Sequence, residues 1–161
     1  MEFKNASKEN TADILAIYRA AVGTPYCTWS LDYPKEAEIE FDLSRNALFC
    51  LFDGTRIAGV VSLDLDENVE KLGCWSEDLQ PSVELSRLGV HPDYQNRGIA
   101  GSLLQNAMKT AKELGNKSVH FLVAKSNIKA IRAYDKVPHR VVSECTLFGE
   151  NWWCYEIALN G

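Results

Sequence analysis

At 161 residues, with 46% apolar and 24% charged side chains, the chain can bury one substantial core and is too short for two ordinary domains. Those proportions exclude a disordered or collagen-like chain. A formal net charge of -5 leaves no general basic field for nucleic acid or an anionic membrane, and weakly favours a cationic partner such as an amine.

The N-terminus, MEFKNASKEN, carries no apolar signal segment, and no run of about 18 apolar residues occurs anywhere. Glu2 to Ala6 reads as a short first strand. Thr11 to Ala21 follows cap-type residues, and its Ile14, Leu15, Ile17 and Tyr18 have the spacing of one buried helix face. Val22 to Asp32 has no clean period and reads as a loop. A second helix is expected after Tyr33, with Pro34 in its first turn and Glu36 and Glu38 near the positive end of its dipole.

Ala47 to Phe52 and Arg56 to Leu65 are apolar runs joined at Asp53-Gly54, a hairpin signal. Asp66 to Pro81 is polar and reads as a surface loop. Ser82 to Val90 is a long strand candidate, followed by a turn over His91 to Arg97. From Gly98 to Leu114 the apolar positions Ile99, Leu103, Ala107, Ala111 and Leu114 recur every three or four residues, and Gly115 follows as a C-cap. Ser118 to Ala124 has strand composition. Asn127 to Lys136 reads as a short helix stopped before Pro138, and Val141 to Phe148 and Trp152 to Leu159 form a strand pair joined by Gly149-Glu150-Asn151. The crossover helix makes Ser82 to Val90 and Ser118 to Ala124 parallel neighbours, whereas the hairpins are antiparallel. The expected fold class is therefore α/β, a mixed sheet with helices on its faces, in a single domain over 1–161.

Cys27, Cys50, Cys74, Cys145 and Cys154 are odd in number, widely spaced and contain no CxxC pair, so neither a disulfide framework nor zinc is indicated. His91, His120 and His139 are dispersed and imply no metal. A reducing cytoplasm fits this usage.

The chemistry lies in Val83 to Leu104, VELSRLGVHPDYQNRGIAGSLL. A strand delivers the chain to His91-Pro92, a polar turn follows, and Gly98 and Ala100 open a helix with almost no side-chain bulk. Backbone N–H groups without intrahelical partners and the positive end of the helix dipole then face one spot, an anion site suited to a pyrophosphate. Gln95, Asn96, Arg97 and Ser102 can add side-chain donors. Small residues at a helix start also serve close packing, and that alternative stands beside the anion site. The P-loop and dinucleotide patterns are absent.

Gln95-Asn96-Arg97-Gly98-Ile99-Ala100, preceded by Val90-His91-Pro92, resembles motif A of the GCN5-related N-acetyltransferase (GNAT) family, and the order of elements across nearly the whole chain is similar. The resemblance implies a central twisted sheet of about seven strands, mostly antiparallel, with about four flanking helices. It implies acetyl-CoA as co-substrate. The amides of Arg97, Gly98, Ile99, Ala100, Gly101 and Ser102 would hold the pyrophosphate, and the backbone of Leu88, Gly89 and Val90 would pair with the pantetheine arm, Gly89 accommodating a bulge. Asn127 and Ala130 would be CoA neighbours, and Tyr134 the general acid toward the departing thiolate. An amphipathic tyrosine packed on a core face is the competing reading of Tyr134. Lys136-Val137-Pro138-His139 replaces the frequent Gly-Phe ending, which makes His139 a secondary candidate near the acceptor.

Attack on a thioester requires a neutral amine and hence a base. Glu84 is the only carboxylate in Ser82 to Val90, and its position resembles the base of the histone-acetylating branch. A structural ion pair, for instance with Arg87, or a water chain as base are the alternatives. Tyr26, Trp29 and Trp152 are the acceptor-binding candidates, with Trp75 and Trp153 in the same segments. The expected reaction is direct transfer from acetyl-CoA to a primary amine of a small molecule, peptide or protein. The alternatives are a non-catalytic acyl-CoA sensor or a transferase of a longer acyl group. The Trp-rich last strand could pair across a homodimer.

Overall fold

The computed structural model describes residues 1–160. Seven strands form one sheet in the order β1-β2-β3-β4-β5-β7-β6. They are β1 (Glu2–Asn5), β2 (Leu48–Asp53), β3 (Arg56–Asp64), β4 (Ser82–Val90), β5 (Ser118–Ala124), β6 (Arg140–Leu147) and β7 (Glu150–Ala158). The helices are α1 (Thr11–Ala21), α2 (Glu36–Ser44), α3 (Glu67–Glu70), α4 (Ile99–Glu113) and α5 (Ile128–Tyr134). The mixed sheet with flanking helices agrees with the expected class, with five helices among the described residues where about four were predicted.

The chain forms two compact units, one from Met1–Asp64 with Leu85–Ala107, the other from Leu65–Glu84 with the chain from Met108 on. In the first unit, β1 and β3 flank β2 in antiparallel ladders. Its core gathers Ile14, Ile17 and Tyr18 of α1, Ile39 of α2, and Leu48, Cys50, Ile57 and Val60 of the strands. The predicted face of α1 is thus the buried one. Asp53 pairs with Arg56, so Gly54-Thr55 make the turn and Gly54 takes the left-handed φ of 61°. Pro34 precedes α2 and Lys35 occupies its N-cap, so the proline lies outside the helix where the sequence placed it in the first turn.

In the second unit β4 runs parallel to β5 through Ser82↔Ser118, Val83↔Val119 and Glu84↔His120. β7 pairs antiparallel with both β5 and β6. Leu147 pairs with Glu150, so the hairpin turns on Phe148 and Gly149, both left-handed at φ 55° and 73°, rather than on three later residues. That is the backbone of the mirror-image two-residue turn whose twist suits paired strands. The polar stretch after β3 is more structured than a surface loop. Asp66 caps α3 by accepting from Asn68 N–H at 2.9 Å, and Trp75 Nε1 donates to Val69 O at 3.0 Å.

Candidate active site

The turn after β4 is held by the protein's own contacts. His91 N–H donates to Ala58 O at 2.9 Å, and His91 Nδ1 accepts from Asp93 N–H at 3.0 Å. The buried Tyr94 donates its hydroxyl to Asp53 at 2.6 Å, while Arg56 and Arg97 lie 5.1 and 5.3 Å from its ring centre. Arg56 also binds Asp93 at 2.7 Å. These contacts clamp the turn to the β2–β3 hairpin. Asn96 and Gly98 take left-handed φ values of 61° and 76°, which turn the chain into α4.

At the start of α4, Ile99 is buried and Ala100 and Gly101 face outward. Ser102 N–H is the first amide of this turn to reach back, to Gly98 O at 3.0 Å. The three amides before it have no acceptor four residues earlier within the helix. A Cβ added to Gly98 or Gly101 would meet no atom within 4 Å, so both glycines border open space beside exposed Gln95, Asn96 and Arg97. Dipole, amides and room together fit an anionic group such as a pyrophosphate. Gln95 uses one side-chain N–H to bond Val90 O at 3.1 Å, so part of its donor capacity closes the turn.

Leu88, Gly89 and Val90 end β4 in the first unit. The left-handed residue of this strand is Arg87, φ 48°, and not Gly89. Gly89 is there for closeness: a Cβ would lie 3.0 Å from Ile17 Cγ2 and 3.7 Å from Trp29 Cη2. The Arg87 conformation is held by its head group, which donates to both oxygens of Asp42 at 2.9 and 3.0 Å, to Asp64 at 3.0 Å and to Tyr33 hydroxyl at 3.0 Å. Ser62 donates to Asp42 at 2.7 Å and Arg45 binds it at 2.8 Å. Burial pulls the Arg87 guanidinium down, and Asp42, Tyr33 and Asp64 reverse that pull and leave it above the ordinary arginine value.

The second unit carries the two proton-transfer candidates. Glu84 is 6% exposed and sits beside His120 in the β4–β5 ladder, and His120 sits beside Glu156 in the β5–β7 ladder. Register partners share a face, so Glu84, His120 and Glu156 form a buried row. Tyr134 is half-buried, with its ring 4.8 Å from Phe121 and 5.6 Å from Tyr155. His120 and Phe121 are consecutive and point to opposite faces, so Glu84 and Tyr134 flank the strand layer from opposite sides. Burial pushes the Tyr134 phenol up to about 12, with a smaller push from Tyr155. His139 stacks on Tyr155 at 4.8 Å and 3° and so supplies an aromatic ring at the exit of α5.

Asn127 caps α5 and is not one of its turns: its Oδ1 accepts from Ala130 N–H at 3.0 Å, leaving the amide N–H₂ as its donor. Of the acceptor candidates, Tyr26 is 46% exposed, while Trp29 packs edge-on against Tyr18 at 5.4 Å and reaches the Gly89 position. Trp152 uses its indole N–H on Leu147 O at 2.8 Å. The sequence offers Arg87 only as a partner for Glu84 and His120 only as one of three dispersed histidines, and it does not single out Glu156. Among the described residues no cluster of three or more histidine, cysteine or acidic side chains has metal-binding geometry, and no helix is long and apolar enough to cross a membrane.

Residues 14–137 match the acetyltransferase (GNAT) family, and the chain belongs to that family. An acetyltransferase of Pectobacterium atrosepticum is 37% identical over 60 residues, which cover 37% of this chain and 43% of that one. A mycothiol acetyltransferase of Propionibacterium freudenreichii is 31% identical over 67 residues, 42% of this chain and 22% of its own length. The matches thus span less than half of these relatives. The fold is shared with the ribosomal-protein-S18-alanine N-acetyltransferase of Escherichia coli, with a TM-score of 0.74 at 16% identity over 99% of this chain and 94% of that one. It is also shared with a putative acetyltransferase of Salmonella typhimurium solved with its cofactor acetyl-CoA, with a TM-score of 0.69 at 20% identity over 100% and 95% of the two chains.

Proposed function

We propose that this chain is an acetyl-CoA-dependent N-acetyltransferase that passes the acetyl group directly to a primary amine of a small molecule, peptide or protein. The observation that carries the reading is the clamped turn that presents open glycines and unbonded amides at the N-terminus of α4. A neighbour of the same fold holds acetyl-CoA, and the family match runs through both units, which supports reading the chain as one catalytic domain. Bound acetyl-CoA would supply an activated acetyl thioester. The amides and side chains from Arg97 to Ser102, with Gln95 and Asn96, would hold its pyrophosphate, and the backbone of Leu88, Gly89 and Val90 would line its pantetheine arm. The Asn127 amide and Ala130 are further proposed CoA contacts.

Glu84 is the proposed base, taking a proton from the amine, and Tyr134 the proposed acid, donating toward the leaving sulfur. A phenol near 12 stays protonated at any working pH and so remains a hydrogen-bond donor. Its high value opposes complete transfer to a thiolate, whose ordinary pKa is about 8.5. Tyr134 therefore acts chiefly by stabilising negative charge on sulfur. Tyr26, Trp29 and Trp152 are the proposed acceptor-side residues, and the five free thiols support a reducing cytoplasm.

Calorimetry with acetyl-CoA, followed by thiol release across a panel of amines, tests the reading. Wild type should bind and release thiol. Gly98→Glu adds a Cβ at left-handed φ and a negative charge at the anion site, and should bind CoA about tenfold more weakly. Equal affinity would remove the cradle.

A further inference from the structure

The segment between β3 and β4 reaches the sheet at the buried row of the second unit. Glu70 Oε1 lies 2.7 Å from His120 Nε2, the Trp75 ring lies 4.5 Å from the imidazole, and Ser76 donates its backbone N–H to Glu156 at 2.9 Å. On the other side of the ring, Ser82 Oγ is 2.6 Å from His120 Nδ1. A carboxylate only accepts, which assigns the hydrogen to Nε2 and leaves Nδ1 to accept from the Ser82 hydroxyl. Both ring nitrogens are thereby used with His120 neutral. The ring is 1% exposed, and its register neighbours Glu84 and Glu156 are 6% and 1% exposed.

The titratable groups beside the ring are Glu84 from β4 and Glu156 from β7, by strand register, and Glu70 from α3, by its contact with Nε2. All three are carboxylates, and Ser76, Ser82 and Trp75 fill the remaining contacts. A second proton on the ring would put a full positive charge between buried carboxylates and turn Nδ1 from acceptor to donor. The interaction with a carboxylate in such a setting is far stronger than at the surface.

We propose that His120 is a positioning residue for Glu84: neutral, it leaves Glu84 able to take the proton of the amine, and protonated, its positive charge beside Glu84 in the ladder holds that carboxylate ionised and removes it as a base. The inference rests on Glu84 being that base. The step it controls moves one proton from the amine nitrogen to a Glu84 oxygen as the N–C bond forms and the C–S bond breaks. Burial draws the His120 value below its ordinary 6.5, against the opposing pull of the Glu70 charge and hydrogen bond and of Glu156. The loss of activity therefore falls on the acid side of that value.

The test is log kcat/KM for the amine at saturating acetyl-CoA between about pH 5 and 8. An amine that must be neutral gives a slope of about 1 in this range, because its own pKa lies near 10. Wild type should steepen to about 2 below the His120 value. His120→Gln can donate to Glu70 and accept from Ser82 but cannot gain a proton, so its line should stay near 1. One pH unit below the bend it should exceed wild type about tenfold. The same bend in both proteins overturns the proposal. Glu84→Gln separates the two readings: full activity there removes the base itself, whereas an inactive Glu84→Gln with an unchanged bend in His120→Gln removes only the role of His120. If His120→Gln does not fold, NMR titration of the His120 ring in wild type decides, since its midpoint must coincide with the kinetic bend and a different midpoint overturns the proposal.

Discussion

Arg87→Met is expected to lower stability by about 3–5 kcal/mol, because it strands buried carboxylates that the guanidinium now pairs. Asp42 is fully buried and Asp64 is 5% exposed. After the substitution Arg45 would still bind Asp42 at 2.8 Å and lie 3.7 Å from Asp64, so the loss is that of one guanidinium and not of all compensation. Methionine keeps the Cβ and with it the cost of the left-handed φ of 48°. Glycine abolishes that cost, about 1–2 kcal/mol for an L-residue, so Arg87→Gly should be the milder of two damaging changes. Denaturant unfolding gives both numbers, and a chain of this size should lose about 2–4 °C in Tm for each kcal/mol. A loss below about 1 kcal/mol in Arg87→Met would mean that the carboxylates find water or other partners and that the network adds little. Replacing Asp42, Asp64 and Arg87 together by apolar residues should recover much of the loss, since buried ion pairs rarely outdo a packed apolar core.

Tyr134→Phe should leave acetyl-CoA binding unchanged and lower kcat by about 100-fold or more, within the range that a positioned acid contributes. The substitution is clean because the ring that packs on Phe121 and Tyr155 is retained and only the hydroxyl is lost. Burial pushes that hydroxyl up to about 12, so its deprotonation lies beyond the usable range. The wild-type profile should accordingly rise with pH as the amine becomes neutral and reach a plateau with no fall due to Tyr134 by about pH 10. An alkaline fall absent from the phenylalanine variant, or equal turnover by the two proteins, would contradict the assignment.

β4 and β5 were readable to the residue, as was α1, because each combines a strong apolar period with nearby turn or cap residues. The α4 start was readable because Gly98 and Ala100 remove bulk where a pattern of polar residues gives way to a helix. Position along a strand does not disclose what lies beside it. Arg87 read as a partner for Glu84, and only the fold brings Asp42 and Asp64, 45 and 23 residues away, onto its head group. His120 read as one of three dispersed histidines until the β4–β5–β7 register set it between Glu84 and Glu156. The left-handed residue of β4 is Arg87 and not Gly89, because an ion-pair network can hold an L-residue where glycine would be the default. The residues between β3 and β4 looked structureless since their anchors are single polar side chains and one tryptophan, with no period for a sequence to display.

The clamp on the turn after β4 has a consequence in time. Tyr94 is pinned by Asp53 and flanked by Arg56 and Arg97, so the turn that would meet a phosphate is ordered as the protein folds and need not wait for its ligand. Encounters then find a finished surface, and differences in affinity among variants of the loop fall on how long the ligand stays more than on how often it arrives. Loosening the hairpin at Asp53 would shorten that residence.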